Sequence, residues 1–359
     1  MWNETIFRNP EVFEPDYLPD AFLHRNSQLE QLAFDLKPAL SGSRPVNCLC
    51  LGPPATGKTT AVRIIFKQLE EYGNCATAYV NCLFVGSKHQ VFAKVFEQLF
   101  GYPPPPNTPF PKLYEATFEK LIQEEKVLVV ALDDANALEG HLLNDVFRSM
   151  LKAHEDVEGV RVGVVVMTTD PSLPSKLDFV LADEVTFPPY SKSEMRDILS
   201  SRARAGFFDG VLEDDALDAI VNAAYEVGDL RYGIALLRLA GLEAEKRASR
   251  KIEPKDVESA RERGRRALVE KIVKALSREE KILLKLAYEH LNTKAGKLFR
   301  EYRKYIRVGY TKFNETLRRL ETLRLVDVVH VGDKPSRGVS RIVVGNFDPL
   351  IVLSALSSS

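Results

Sequence analysis

Gly52 to Thr60, GPPATGKTT, constrains this chain more than any other stretch. It satisfies G-x-x-x-x-G-K-[ST] at Gly52, Gly57, Lys58 and Thr59. An apolar run, Val46 to Leu51, precedes it, and Thr60 to Tyr72 follows with Val62, Ile65, Phe66 and Leu69 at helical spacing. The order is strand, loop, helix, the setting in which this spelling carries chemistry. Glycines let backbone amides curl around an anionic phosphate, and the helix N-terminus adds a positive dipole. Lys58 reaches the β and γ phosphates, Thr59 can ligate Mg²⁺, and Pro54, Ala55, Thr56, Gly57 and Thr60 complete the cradle for a nucleoside triphosphate.

The surrounding pattern predicts the fold that such a loop requires. Ala76–Val80, Val127–Leu132 and Val160–Met167 are β-branched-rich runs, suited to a parallel sheet covered on both faces. Helical segments at Lys88–Phe100, Lys112–Glu124 and Leu142–His154 alternate with them, which implies a doubly wound α/β domain. Pro188 and Pro189 end that pattern. Helices alone follow: one opened by a capping box of Ser191 and Glu194, then Glu213–Val227, Leu230–Ala248 and Pro254–Arg263. Arg261, Arg263, Arg265 and Arg266 form a basic junction, readable as a solvated helix face, before a third unit. The expected organisation is an α/β nucleotide-binding domain over 1–190, an all-α domain over 191–268 and a winged helix over 269–359.

A phosphate-bound Mg²⁺ also needs a hard anionic anchor at the end of a neighbouring strand. Asp133, directly after Val127–Leu132, is the metal-side candidate, and Asp134 could orient or deprotonate an attacking water. Thr168, Thr169 and Asp170 end the next strand, as polar groups facing the γ phosphate or as ordinary turn residues. Gly228-Asp229-Leu230-Arg231 opens a helix, and Arg231 reaches the phosphates only if that helix lies across the nucleotide.

The formal net charge of -1 hides an asymmetry. Between Arg261 and Arg341 there are 22 Lys and Arg against 10 Asp and Glu, which leaves 27 against 40 elsewhere. Such a basic module suits nucleic acid or a charged helix surface. Within it, Ser277–Tyr288, Ala295–Tyr302 and Tyr310–Leu323 read as three helices, followed by strands at Leu325–Val331 and Ser340–Val344 around a turn at Gly332-Asp333-Lys334. That is the order of a winged helix. The third helix carries Thr311, Lys312, Asn314, Arg318 and Arg319 beside apolar Phe313, Leu317 and Leu320, so one stripe packs and the other meets a groove. Lys334, Arg337 and Arg341 in the wing suit phosphates or the minor groove. No apolar run approaches the roughly 18 residues of a membrane helix, so no membrane partner is expected. The N-terminus lacks a signal peptide's basic start and apolar core, and Cys48, Cys50, Cys75 and Cys82 lack zinc-site spacing. A cytoplasmic, nucleoid-associated protein with inert core thiols is expected.

The ordered set of motifs resembles the archaeal initiator family related to the origin recognition complex and the cell-division-control loader, within the AAA+ ATPases. It comprises IFRNPEVFEPDYLPDAFLHRNSQL, GPPATGKTT, the acidic pair after VLVVAL, FPPYSKSEMRDILSSRA, GDLRYGIALLRLAG and the winged-helix pattern, nearly the whole chain. The resemblance implies ATP or ADP held between core and helical lid, with His24 and Arg25 near the base, Thr56 to Thr60 on the phosphates and Tyr190 and Arg202 on the lid side. It makes Arg231 a sensor of the γ phosphate. It turns Pro103–Tyr114, by composition a stiff connector, into an insertion that touches DNA. Double-stranded origin DNA, a paralogous initiator and the replicative helicase are the implied partners.

Three departures point to slow hydrolysis. Asp134 stands where the family commonly has Glu, and Thr168 and Thr169 where it commonly has a sensing Asn. No arginine lies between Arg161 and Arg196 to be offered to a neighbour's nucleotide, and Lys176 cannot imitate its planar fork. The expected function is an ATP-binding replication initiator with hydrolysis as a slow switch; a nucleotide-switch signalling ATPase and a transcriptional regulator are the alternatives.

Overall fold

The computed structural model describes residues 5–138, 140–179, 181–323, 325–331 and 340–357. Its contacts gather into two units, Met1–Arg238 and Leu239–Ser359. In the first, strands β1 (Cys48–Leu51), β2 (Cys75–Asn81), β3 (Val127–Asp133), β4 (Val162–Thr168) and β5 (Asp183–Thr186) pair in parallel in the order β2-β3-β4-β1-β5. Every residue of β3 and β4 is buried, which is why their apolar runs do not alternate. Helices α1 (Asn26–Leu36) and α2 (Lys58–Glu71) cover one face through Leu32, Leu36, Val62, Ile65 and Phe66. Helices α3 (Lys88–Phe100), α4 (Phe110–Gln123) and α5 (Gly140–Leu151), followed by the short α6 (Ala153–Asp156), cover the other, with Phe92, Phe118 and Phe147 in the core. This is the three-layer sheet that the alternating pattern implies. Strand β1 is shorter than its apolar run: at Asn47 it is the side chain that accepts the Val164 N–H, at 2.8 Å.

The helices α7 (Lys192–Gly206) and α8 (Asp214–Val227) then pack on each other, and α9 (Leu230–Lys246) crosses the division between the units. The capping box at Ser191 and Glu194 is formed, with both reciprocal bonds present. Gly233 permits close packing: a Cβ there would lie 2.9 Å from both Ala224 and Leu199 side-chain atoms. The N-terminal segment pins the end of α7, with the Phe7 and Phe13 rings packed at a tilt against Phe207.

In the second unit, α10 (Pro254–Ala275) runs a further three turns beyond Arg263, its expected end. Nothing in RERGRRALVEKIVKA stops it: there is no proline, and most residues are good helix formers. The basic junction therefore lies inside a helix. After α11 (Arg278–Glu289) come β6 (Thr293–Lys294), α12 (Ala295–Tyr302), α13 (Tyr310–Thr322), β7 (Val326–Val331) and β8 (Ser340–Gly345). The sheet order β6-β8-β7 is antiparallel, the arrangement of a winged helix. Buried Tyr288 knits it together, donating to the Leu325 carbonyl at 2.7 Å and accepting from the Asn346 and Phe347 N–H groups. Helix α14 (Pro349–Ser357) packs against α10 and α11. Its sequence PLIVLSALS is apolar nearly all round, so it carries no amphipathic signal that would announce a helix.

Candidate functional site: a nucleotide cavity and a basic helix

The loop from β1 to α2 borders a cavity of about 630 Å³ in the first unit. Pro54, Ala55, Thr56, Gly57, Lys58, Thr59 and Thr60 all line it. Gly57 enters the helix at φ 94°, a backbone that disfavours any side chain. A Cβ there would also meet Phe22 at 2.8 Å and Tyr190 Oη at 2.9 Å, so the loop is pinched between two aromatic residues. Lys58 is buried and donates to the Gly52 and Pro53 carbonyls at 2.7 and 2.8 Å. Burial lowers its pKa, opposed by the charges of Asp133 and Asp134.

The acidic pair sits across from the loop. Thr59 Oγ1 donates to Asp133 Oδ2 at 2.6 Å, and Tyr79 Oη donates to the same oxygen at 2.6 Å. The other carboxylate oxygen accepts the Asp134 N–H at 2.9 Å. Two hard oxygens, Thr59 Oγ1 and Asp133 Oδ2, thus face each other beside the loop amides, a donor set that fits Mg²⁺ chemistry. Asp134 takes a left-handed backbone, φ 51°, and Asn81 Nδ2 approaches its carboxylate at 3.4 Å. Burial, then the adjacent Asp133 charge, raises its pKa. Thr168 donates from Oγ1 to Asn136 Oδ1 at 3.0 Å, so a residue of the turn after Asp134 meets the end of β4. Lys176 is engaged by Asp170 at 2.8 Å.

Tyr190, Arg202 and Arg231 also line the cavity. Arg202 donates to the Val12 carbonyl at 3.2 Å and lies over the Tyr17 ring. Arg231, with a side chain 68% exposed, makes a two-pronged contact with Asp229, Nε to Oδ1 at 3.1 Å and Nη2 to Oδ2 at 2.8 Å. His24 and Arg25 stand behind the wall. Arg25 is buried and donates to three carbonyls, Thr56 at 3.0 Å, His24 at 2.9 Å and Pro188 at 2.6 Å, with its guanidinium stacked 3.7 Å from the Tyr190 ring centre. It ties the phosphate loop to the strap that leads into α7. His24 Nε2 bonds Asp197 of α7 at 3.0 Å.

In the second unit, α13 buries Phe313, Leu317 and Leu320 and exposes Thr311, Lys312, Arg318 and Arg319, as the two-stripe reading requires. Several of these groups already have partners. Arg319 Nε donates to Glu280 of α11 at 2.6 Å, Lys312 pairs with Glu315 at 3.3 Å, and Arg341 donates to Asn314 Oδ1 at 2.8 Å and to Tyr310 Oη at 2.7 Å. Lys334 and Arg337 lie outside the described residues. In the Pro103–Tyr114 segment the prolines 103, 105 and 106 are exposed, while Tyr102 packs edge-on to Phe100 and Phe110 to Phe92.

Residues 43–177 match the AAA domain family, and residues 196–262 match the Cdc6 AAA+ ATPase-type lid domain. ORC1-type DNA replication protein 2 of Methanosarcina mazei is 41% identical, with 100% of this chain and 98% of that protein covered. The chain belongs to the ORC1-type DNA replication proteins. An ORC1-type relative from Archaeoglobus fulgidus is 37% identical over 99% of this chain and 94% of its own. Among solved structures, the Aeropyrum pernix ORC1 protein in complex with DNA matches with a TM-score of 0.86 and 27% identity, covering 99% of this chain and 98% of that one. The Aeropyrum pernix ORC2 protein, solved as ADPNP–ADP complexes, shares the fold at a TM-score of 0.64 and 23% identity, covering 98% of each chain.

This ORC1-type chain is thus a replication initiator with an AAA+ core and a helical lid. Motif reading missed Phe22, Arg63, Tyr79, Asn81, Asn136 and Asp229. Tyr79 and Asn81 share a strand face, and the register that sets Asn81 beside Asp133 brings both to the acidic pair. That register is not written in either strand alone. Asp229 was within reach, because an acid two residues before an arginine at a helix start is a local signal. Among the described residues, no helix is long and apolar enough to cross a membrane.

Proposed function

We propose that this initiator binds ATP in the cavity of the first unit and origin duplex DNA through α13 and the wing, with nucleotide state as a slow switch. The observation that carries the nucleotide half is the 2.6 Å bond between Thr59 and Asp133 in a cavity that Lys58 and Arg231 also line. Lys58 exchanges its two loop carbonyls for β and γ phosphate oxygens. Arg231, aimed by Asp229, meets the γ phosphate from the lid side. Thr59 and Asp133 would hold Mg²⁺, which when bound would supply positive charge to offset that of the phosphates. Among the described residues no three His, Cys, Asp or Glu side chains cluster for a metal, so such an ion depends on the phosphates as well.

Asp134 is the group that orients water for in-line attack, and its short side chain, shared with Asn81, accounts for slow turnover. Arg25 serves as a post beneath the loop and His24 as a tether to α7. In this reading the segments 1–190, 191–268 and 269–359 act as nucleotide core, lid and DNA reader. Lys312, Arg318 and Thr311 meet the groove, Arg319 and Arg341 brace it, and Lys334 and Arg337 hold phosphates. A cytoplasmic, nucleoid-associated protein that pairs with a paralogous initiator and recruits the replicative helicase follows from the family.

The test is binding to origin duplex and to unrelated duplex at two salt concentrations, with ADP or a non-hydrolysable ATP analogue, for wild type and Lys312→Ala/Arg318→Ala. Specific, salt-sensitive affinity that the double variant loses supports the initiator reading. Affinity indifferent to salt and to the substitutions makes the winged helix a protein-contact module.

A further inference from the structure

We infer that Tyr79 is a positioning residue for this site: it clamps the Asp133 carboxylate so that Thr59 and Asp133 present one fixed pair of oxygens to the metal end of the phosphate chain. The inference rests on the reading of the cavity as an ATP site. Strand register creates the arrangement. Asn81 pairs with Asp133 and Tyr79 with Ala131 on the parallel neighbours β2 and β3, so Tyr79 stands one step below Asp133 on the same sheet face. From there its phenol reaches Asp133 Oδ2 at 2.6 Å, the oxygen that Thr59 also bonds at 2.6 Å.

Three contacts, two on Oδ2 and the Asp134 N–H on Oδ1, leave this buried carboxylate a single orientation. Helix α2 supplies the second support. Thr59 and Arg63 are four residues apart on one helix face, and while Thr59 bonds the carboxylate, Arg63 lies over the Tyr79 ring at 4.7 Å. Arg63 also lines the cavity. The helix that begins at the phosphate loop therefore touches the acid twice, once directly and once through the tyrosine.

The experiment titrates a fluorescent ATP analogue onto the full chain, in EDTA and across a Mg²⁺ series, for wild type, Tyr79→Phe, Asp133→Asn and the double variant. Tyr79→Phe is expected to leave affinity in EDTA unchanged and to raise the Mg²⁺ concentration for half-maximal enhancement by about 10-fold, the size of one hydrogen bond to a charged acceptor. In the Asp133→Asn background it should add nothing. Equal loss with and without Mg²⁺, a full extra effect beside Asp133→Asn, or a Mg²⁺ response unchanged from wild type would each overturn the inference while leaving the ATP site standing. A wild type whose binding does not respond to Mg²⁺ overturns the inference alone, and one that binds no analogue with or without Mg²⁺ overturns the ATP-site reading itself. Should Tyr79→Phe lower the melting temperature of the nucleotide-free chain, Arg63→Ala is the second probe, with an expected shift of about 2- to 5-fold in the same Mg²⁺ midpoint; no shift there counts against the inference.

Discussion

The nucleotide cavity and the exposed face of α13 are built on opposite plans. Lys58 and Asp133 in the cavity and Arg25 behind its wall are buried, and each is held by two or more hydrogen bonds at 2.6 to 3.0 Å. On α13, Lys312 and Arg319 are more than half exposed; Lys312 pairs with the exposed Glu315, a partner that solvent can replace, and only Arg319 reaches inward, to the buried Glu280 of α11. Buried polar groups have no substitute for a lost partner, whereas exposed charges exchange one for water or phosphate. The contrast predicts individually large effects in the cavity and small, roughly additive ones on α13.

The largest effect that would break the comparison, if absent, is at Lys58. Lys58→Ala should weaken binding of a fluorescent ATP analogue by about 100-fold or more, the scale of losing a charge-assisted contact to a desolvated phosphate, while circular dichroism stays that of the wild type. Arg25→Ala comes next, with a cost of about 2–4 kcal/mol in thermal or urea unfolding, because three carbonyls lose their donor. Arg25→Lys should recover little of this, since an ammonium cannot reach three acceptors and stack on Tyr190.

A buried acid away from the cavity sharpens the contrast through pH. Asp35 lies beneath β1 and β5 with Oδ2 unpartnered, and burial, followed by the Asp183 charge, pushes its carboxyl up to about 6. The folded chain therefore keeps a proton that the unfolded chain releases from about pH 4 upward, and Asp35 makes stability fall as pH rises between about 4 and 6 and hold level above. Asp35→Asn should remove that decline and raise stability near pH 7.5 by about 2 kcal/mol, with little effect at pH 4; melting curves at the two pH values decide it. The smallest effect belongs to α13. Lys312→Ala and Arg318→Ala should each cost about 1 kcal/mol of DNA affinity or less and lower the salt slope by about 0.9 per lost phosphate contact, with the melting temperature unchanged. Arg319→Ala should shift melting as well as binding, because the carboxylate it leaves, Glu280, is buried.

The two regions also differ in how they are written. The loop from Gly52 to Thr60 and the acid after β3 are local spellings, and their assembly around one cavity follows from the parallel sheet that the β-branched runs predict. The basic face of α13 is legible as charge and helical spacing, yet the bonds of Arg319 to Glu280 and of Arg341 to Asn314 join residues 39 and 27 positions apart, which periodicity does not report. Arg25 shows the same limit. The resemblance sets it near the nucleotide base, and the bond of its guanidinium to the Thr56 carbonyl, 31 positions away, is visible only in the fold.

By itself the sequence determined the chemistry on offer: a phosphate loop at a strand–helix turn, an acidic pair at the end of a buried strand, and a basic winged helix after an acidic core. These depend on residues within a few positions of one another, where backbone geometry alone decides which side chains meet. Only the tertiary structure decided which groups guard that chemistry. Tyr79 reaches Asp133 through strand register, Phe22 and Tyr190 pinch Gly57 from distant segments, and α10 continues through the arginines because its far end has a core to bury in Val269 and Val273. Such contacts depend on the packing of separate elements, and packing is a property of the whole fold.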